Sequence, residues 1–306
     1  GSEVRLERFE AYYLPGVPYL DAVTFRILGD PNTRFAALLA GDVDLIGTSL
    51  TPEQYLQLRD RPGFVATEGT ATTEITLGMN HERAPFDDVR VRRAVQHAID
   101  KRAIVDGAMF GLGTVIGTHM SPSESYYLDL TELYPHDPDR ARALLREAGY
   151  GERGPRVLFE LPAPYAIERR AGQVVAQQLE AVGFEVELQV VEWATWLRRI
   201  FRDGDYQLTI IGHSEPRDIA IYGESDYYFG YDEPAVRALL ADAEAAPDAD
   251  AERDAYQRVA RRIAEDAVAA WLFSPPYLVA ARDDVHGFWT DQPTPAIDVT
   301  GVYLER

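Results

Sequence analysis

The chain has 306 residues, of which 46% are hydrophobic and 26% are charged, and its formal net charge is −20. This length can bury a substantial core in one large or two medium domains, and the acidic balance argues against nucleic acid as a partner, because phosphate binding needs a positive surface. The absence of cysteine excludes disulfides, thiolate metal sites and cysteine nucleophiles, and no apolar run approaches the length of a membrane span.

The beginning of the chain lacks the features of a signal peptide. Gly1-Ser2 is followed by the charged residues Glu3 and Arg5 instead of an apolar run. We therefore interpret the first two residues as the remnant of a cloning junction on a mature or trimmed chain.

The first part of the chain follows a β-α-β-α pattern. Residues 23–28 and 43–46 predict strands, and the helix between them is predicted to begin at Asp30 and to end at Gly41. Thr51-Pro52-Glu53-Gln54 has the spacing of a capping box with proline at the first helical position, which predicts the start of a second helix.

A strand, a proline break and a helix follow. Residues 75–80 are apolar and β-branched and predict a strand. Pro85 prevents a helix immediately before it. Asp87 or Asp88 is the predicted N-terminal cap of the helix that follows. The apolar face of that helix recurs at helical spacing, at Val91, Ala94, Val95, Ala98 and Ile99.

The middle of the chain alternates strands with helices. The strands are predicted over 157–161, 184–190 and 206–211, with helices over 167–182 and 193–202. This alternation predicts right-handed crossovers and a parallel-type sheet. After Tyr231 the pattern is helical until an apolar strand over 267–273, which Pro275-Pro276 interrupts.

The segment behind the strand 206–211 concentrates candidate binding residues. In open α/β sheets, ligands bind beyond the carboxyl ends of the strands, and this strand leads directly to His213 and Asp218. The aromatic-rich segment 219–231 follows; a concave site needs aromatic walls and a few directed polar groups. The alternatives are a structural imidazole for His213 and a turn or helix cap for Asp218.

Several stretches resemble one protein family. They are Pro85–Ala94 (PFDDVRVRRA) with Ala98–Lys101, the run from Pro18-Tyr19-Leu20-Asp21 to Asp44-Leu45-Ile46, and Gly230–Val236. All are similar to the family 5 bacterial extracellular solute-binding proteins, the receptors of peptide and nickel ABC importers. The resemblance implies a two-lobe α/β fold of the class II periplasmic-binding-protein, oligopeptide-receptor type, truncated at the N-terminus. It places the first lobe at 1–80, the second at 81–274 and a return to the first at 275–306.

The same resemblance implies a function without catalysis. The chain is expected to be the substrate-binding component of an ABC importer, which captures a small solute between the two lobes and delivers it to the permease subunits. A short peptide or a similar solute with a cationic end is the expected ligand, and no cofactor is expected. The expected location is periplasmic or extracellular, with membrane association only through the transporter.

The resemblance and the local chemistry select six ligand-binding candidates. Asp218 would pair with an ammonium or guanidinium group. His213 stands where many family members carry tryptophan, so the ligand of those members cannot be transferred. Trp193 is a candidate wall, with a core position as the alternative. The remaining candidates are Tyr222 in the aromatic segment, and His119 and Met120 in a loop that resembles another cleft-facing loop of the family.

Three other functions receive less support. The histidines lack the close spacing of metal ligands, so no dedicated metal site is predicted. Contact of one histidine with a chelated metal stays open.

The run Gly212-His213-Ser214-Glu215-Pro216 is similar to the nucleophile elbow of serine hydrolases, but Pro216 stands where the elbow needs glycine. A hydrolase using Ser214 would react with an active-site serine probe. The third alternative is a sensing domain of a regulator with the same fold. The native N-terminus would distinguish such a sensor from a receptor.

Overall fold

The computed structural model describes residues 1–151, 153–214, 217–291 and 297–305. The chain forms two compact units. The first unit comprises Gly1–Ala71 and Pro276–Arg306, and the second unit is the continuous segment Thr72–Pro275.

Strands and helices succeed one another along the whole chain. In order they are β1 (Glu3–Glu7), β2 (Ala22–Arg26), α1 (Pro31–Ala40), β3 (Leu45–Ile46), α2 (Pro52–Leu58), β4 (Phe64–Gly69), β5 (Glu74–Met79), α3 (Val89–Ala98), α4 (Lys101–Met109), β6 (Thr114–Val115), α5 (Pro138–Glu147), β7 (Arg156–Pro162), α6 (Ala166–Ala181), β8 (Glu185–Val191), α7 (Trp193–Thr195), a π-helix (Trp196–Arg202), β9 (Leu208–His213), a 3₁₀ helix (Asp218–Gly223), α8 (Pro234–Glu244), α9 (Ala249–Glu265), β10 (Ala269–Ser274), β11 (Tyr277–Arg282), β12 (Val285–His286) and β13 (Tyr303–Leu304). None of these helices is both long enough and apolar enough to cross a membrane.

The described residues of the first unit form three small antiparallel sheets. β1 pairs with β2, β12 pairs with β13, and β11 lies between β3 and β4. The strands β1 and β4 were not predicted from the sequence. β1 alternates between polar and apolar residues (EVRLE), but the start of the chain was interpreted only as a cloning remnant, and the residues of β4 (FVATEG) do not alternate clearly.

The helices of the first unit begin where their capping residues predict. The Asp30 side chain accepts a hydrogen bond from the backbone N–H of Thr33, and Gly41 ends the helix in the left-handed conformation with φ of 78°. At α2 the Thr51 and Gln54 side chains form the reciprocal bonds of a capping box. Both helix predictions are confirmed.

The second unit is built on a six-stranded mixed sheet with the strand order β6-β10-β5-β9-β7-β8. Only β8, β7 and β9 are parallel neighbours, and the pairs β9–β5, β5–β10 and β10–β6 are antiparallel. The parallel arrangement predicted from the three middle strands is confirmed for β7, β8 and β9, and the other half of the sheet, which that prediction did not cover, is antiparallel. The physical reason is that β5 enters from the first unit and β10 leads back to it, so neither strand is joined to its neighbours by a strand–helix–strand crossover.

The units divide at different residues from the predicted lobes. The sequence placed the end of the first lobe at residue 80, whereas the structure places the division between Ala71 and Thr72. The difference is β5, whose six residues are all buried between β9 and β10 in the second unit. The second division, between Pro275 and Pro276, lies one residue from the predicted return.

The second unit has two hydrophobic cores, which receive alternate residues of the same strands. Leu208 and Ile210 of β9 belong to the first core, together with the apolar face of α3. Ile211 of β9 and Trp271 of β10 belong to the second core, together with residues of α8 and α9. Successive side chains of a strand point to opposite faces of its sheet, so both faces of the central strands are covered.

One buried carboxyl group in the first turn of α6 makes the stability of the chain depend on pH. Burial raises the pKa of Glu168 to about 7, against smaller opposing effects of its own backbone amide and Arg169. The unfolded chain therefore loses its proton first as pH rises, and the folded state loses stability between the unfolded pKa of about 4.3 and the folded pKa of about 7.

We expect Glu168→Gln to remove this dependence, because glutamine does not ionise. At pH 8 the variant should be more stable than the parent by an amount on the order of 3 kcal/mol, and at pH 4 the two should differ little. Urea denaturation at both pH values measures the difference. Glu180→Gln, at an exposed position of the same helix, is the control; an equal effect in both variants would contradict the assignment.

Candidate functional site at the carboxyl end of strand β9

Strand β9 ends at His213, directly opposite Glu74, the first residue of β5. Residues opposed in antiparallel strands share one face of the sheet. Ile211, two residues before His213, belongs to the second core, so both side chains lie on the second-core face. They are buried, with 6% of His213 and 3% of Glu74 exposed.

Asp218 reaches the same place from the loop behind β9. It is the first residue of the 3₁₀ helix, and Arg217 before it adopts the left-handed conformation with φ of 60°. The Oδ2 atom of Asp218 lies 2.8 Å from Nδ1 of His213. The side chain of Asp218 is still 11% exposed, so the carboxylate joins the buried site to the surface.

His119 comes from the loop that follows β6. The hydroxyl of Thr118 donates to the carbonyl oxygen of Ala260 in α9 over 3.2 Å, which fixes this loop on α9. Nε2 of His119 lies 3.3 Å from Oδ2 of Asp218 and 3.7 Å from Oε2 of Glu74. We call His119, His213 and Asp218 the histidine–aspartate cluster.

The charge of Asp218 follows from these contacts. Burial raises the pKa of this carboxyl, but the hydrogen bonds and charges of His119 and His213 outweigh it and hold the pKa well below its usual range. The carboxylate is therefore ionised at neutral pH and can only accept hydrogen bonds. Nδ1 of His213 therefore donates to it over 2.8 Å, and Nε2 of His119 lies 3.3 Å from it.

Three buried side chains on the far sides of the two rings complete the network. Trp271 Nε1, which can only donate, lies 3.2 Å from Nδ1 of His119 and 3.1 Å from the hydroxyl of Tyr222. That hydroxyl lies 3.1 Å from the same Nδ1. Since Nδ1 accepts, the hydrogen of His119 is on Nε2, directed toward the carboxylate.

The second ring is oriented in the same way. The hydroxyl of Tyr228 lies 3.3 Å from Nε2 of His213. Nδ1 of His213 lies on Asp218, so Nε2 faces this hydroxyl. The site is thus a carboxylate between two imidazoles, each of which has a tyrosine hydroxyl next to its other nitrogen.

The structure brings four of the six predicted binding residues together. His119, His213, Asp218 and Tyr222 share the network described above. Met120 lies next to it in sequence, but its side chain is completely buried in the second core.

Trp193 is not part of this network. Its ring stacks on Trp196 at 5.1 Å, and Tyr165 meets it edge-on at 5.2 Å. It is half-buried at the start of α7, where the sequence predicted one helix over 193–202 and the structure has a three-residue α7 followed by the π-helix. Direct contact of a solute with any of the six residues stays a prediction.

The aromatic segment 219–231 has a different role from the one predicted. Tyr222, Tyr228 and Phe229 are 2%, 4% and 1% exposed and pack in the second core. Tyr222 stacks on Phe229 at 5.6 Å, and Tyr228 meets the same ring at 4.3 Å. In this structure the segment supports the histidine–aspartate cluster from inside instead of forming exposed walls.

Asp266 and His286, which could follow Ser214 in the chain order of a hydrolase triad, have other partners in the described structure. The hydroxyl of Ser214 lies 3.1 Å from the hydroxyl of Thr73. Asp266 accepts from Tyr231 and Arg262, and His286 belongs to the first unit, where it pairs with Glu305. Glu215 and Pro216 of the elbow-like run lie outside the described residues.

Sequence reasoning missed three members of the network, Glu74, Trp271 and Tyr228. Glu74 carried a usable signal, because a carboxylate at the start of an otherwise apolar strand needs a partner when it is buried. Trp271 carried no signal of this kind, because a tryptophan in an apolar strand is typical of a hydrophobic core.

Comparison with known proteins adds to these observations. The family model described as "Bacterial extracellular solute-binding proteins, family 5 Middle" matches residues 1–218. The oligopeptide-binding protein AppA of Bacillus subtilis is 26% identical over 94% of this chain and 56% of its own length. The heme-binding protein A of Haemophilus influenzae is 30% identical over 66% of this chain and 37% of its own length.

A solved structure shows the same fold. The periplasmic binding protein DppA of Helicobacter pylori in complex with the peptide STSA superposes with a TM-score of 0.86 at 22% identity, over 100% of this chain and 61% of that chain. This chain spans about half the length of the curated relatives that it matches. Because the family model covers well over half of the sequence, the chain belongs to the family 5 bacterial extracellular solute-binding proteins.

Proposed function

We propose that this chain belongs to the substrate-binding component of an ABC importer, which captures a small solute and delivers it to the permease subunits. The observation that supports the proposal most directly is the match to the family 5 model over residues 1–218. The fold agrees with it over the whole chain, since a binding protein in complex with a peptide has the same fold. No catalytic step is part of this function.

A short peptide, or another solute with a cationic end, is the proposed ligand. The relatives differ in what they are named for, oligopeptide in one case and heme in another, so the ligand class rests on the chemistry of this chain. Asp218 is an ionised carboxylate with part of its side chain at the surface. An ammonium group that binds it must compete with the N–H groups of His119 and His213, which favours a ligand with a strong point charge.

The other five residues have supporting or flanking roles in this proposal. His119, His213 and Tyr222 hold the carboxylate in place from the buried side, and Met120 fills the core behind them. Trp193 is half-buried, so part of its ring surface is available to an apolar part of the solute. The proposed location is periplasmic or extracellular, with association to the membrane through the transporter.

Two measurements on the full-length protein test the proposal. Mass spectrometry of solute released from the purified protein should identify a bound small molecule, and titration with short peptides should give saturable binding. We expect Asp218→Asn to weaken binding at least tenfold, because the charge that pairs with the cationic end is lost. The control is Asp226→Asn, an exposed aspartate of the same segment. Unchanged affinity in Asp218→Asn would contradict the ligand class, and absence of any bound or binding solute would contradict the function.

A further inference from the structure

The histidine–aspartate cluster has the composition and the spacing of a metal site. The side chains of His119, His213 and Asp218 each offer one ligand atom, and these atoms all lie within 4.8 Å of one another. Two imidazoles and a carboxylate are a donor set that binds first-row transition metals in proteins. We propose that the cluster binds a divalent transition-metal ion of the Zn²⁺ class through His119 Nε2, His213 Nδ1 and Asp218 Oδ2.

Two of the three distances between the ligand atoms are close to those around an ion of this size, and the third is at most 4.8 Å. Zinc binds nitrogen and oxygen at about 2.0–2.2 Å, so two ligands of a tetrahedral site lie roughly 3.3 Å apart. Oδ2 of Asp218 is 3.3 Å from Nε2 of His119 and 2.8 Å from Nδ1 of His213. The second of these distances must open by roughly half an ångström. Oε2 of Glu74, 3.7 Å from Nε2 of His119, is a nearby fourth oxygen.

The charge balance also favours a cation. Glu74 and Asp218 are carboxyl groups on the same buried face, and the partners described for Oδ2 of Asp218 are two imidazoles. A carboxylate in low dielectric is costly unless it is paired or coordinates a metal. A divalent ion between these groups would neutralise them without bringing in a long cationic side chain.

The hydrogen bonds on the sides of the two rings that face away from Asp218 remain possible when an ion is bound, after one change in the ring hydrogens. A metal ligated through Nε2 of His119 and Nδ1 of His213 leaves the hydrogen of each ring on its other nitrogen. Those nitrogens then donate to the hydroxyl oxygens of Tyr222 and Tyr228, at 3.1 and 3.3 Å. Trp271 continues to donate to Tyr222. Metal-bound histidines usually donate their second N–H to such an outer partner.

This inference rests on residues of the second unit alone and requires no solute, but an ion on Oδ2 of Asp218 would compete with the cationic end that the proposed function places at the same carboxylate. Sequence spacing concealed the site. The residues of the network come from distant parts of the chain; His119 and Tyr222, for example, are 103 residues apart. The cluster therefore contains no short histidine motif. The prediction of no dedicated metal site rested on the absence of such a motif.

The test uses the whole chain after dialysis against a chelator and then against metal-free buffer. Titration with Zn²⁺ alone should show one high-affinity site per chain and a rise in the melting temperature, because an ion that binds only the folded state stabilises it. His119→Gln and His213→Gln should each weaken Zn²⁺ binding at least 100-fold. His136→Gln, at an exposed histidine outside the cluster, should leave it unchanged.

A second readout does not require the variants to fold. Titration of the parent chain with Co²⁺ should produce the strong visible absorption of a four-coordinate nitrogen and oxygen site, and ¹⁵N spectra should show two histidines changing tautomer when Zn²⁺ is added. Absence of stoichiometric binding in the parent chain overturns the proposal. So does binding that persists in both cluster variants, or Co²⁺ absorption typical of hexahydrated ion.

Discussion

Replacing Arg92 with methionine should lower the free energy of unfolding by about 4 kcal/mol, because it removes the donor of three hydrogen bonds, two of them buried and one partly buried. Arg92 lies on the buried side of α3, and its guanidinium donates to the carbonyl oxygens of Phe86, Ala267 and Asp266 at 2.8, 3.2 and 3.1 Å. Burial lowers the pKa of Arg92 to about 10, so the group is still charged at neutral pH. Without it, the carbonyls lose their partners while the backbone around them stays buried.

Urea denaturation at pH 7 measures this effect, and the adjacent residue supplies the control. Arg93 is exposed on the same helix and donates to the carbonyl oxygen of Glu265. Arg93→Met removes an equal charge and a similar side chain, and we expect it to cost less than about 1 kcal/mol. Equal losses in the two variants would show that charge, not the buried bonds, is responsible.

Gly117→Ala should cost about 3 kcal/mol and should also disturb the histidine–aspartate cluster. A Cβ atom at Gly117 would lie 2.1 Å from the carbonyl carbon of Leu130 and 2.4 Å from its oxygen. Those atoms belong to the backbone and cannot rotate away, so one of the two chain segments must move. Thr118 and His119 follow directly, and a shift of a few tenths of an ångström there lengthens the bonds of His119 to Asp218 and Trp271.

Two observations separate these effects. The melting temperature reports the loss of stability, and the fluorescence of the folded variant reports the surroundings of the tryptophans, including Trp271. Gly151→Ala is the control, because a Cβ there meets no atom within 4 Å. A Gly117→Ala variant with parental stability and parental fluorescence would contradict the close approach of the two segments.

The sequence predicted the local structure well where a few neighbouring residues decide it. Asp88 and Asp100 cap their helices by accepting hydrogen bonds from Arg90 and Ala103, as expected from aspartate followed by helical spacing. The apolar face predicted for α3 is the face that the structure buries in the first core. Membership of the family was also visible in the sequence, because the run around Pro85 is long and specific.

The site could be predicted only in part, because it is formed by contacts between distant segments. The position of His213 and Asp218 behind β9 followed from the general rule for strand ends. The proximity of His119 to His213 and Asp218 did not follow from any local rule. The ring of His119 is placed by distant residues such as Trp271, 152 residues further along the chain. Distant segments also decide the strand directions in the six-stranded sheet. The pattern of alternating elements shows that strands exist, but the direction of β5 and β10 depends on where the chain enters and leaves the second unit.

The place of β11 in the first unit constrains the order in which the protein can fold during synthesis. β11 is the middle strand between β3 and β4, yet it leaves the ribosome after all of the second unit. Until then β3 and β4 have no strand to join them, whereas the second unit is one uninterrupted stretch and domains generally fold as units. The first unit can therefore complete this sheet only after the whole of the second unit has been synthesised.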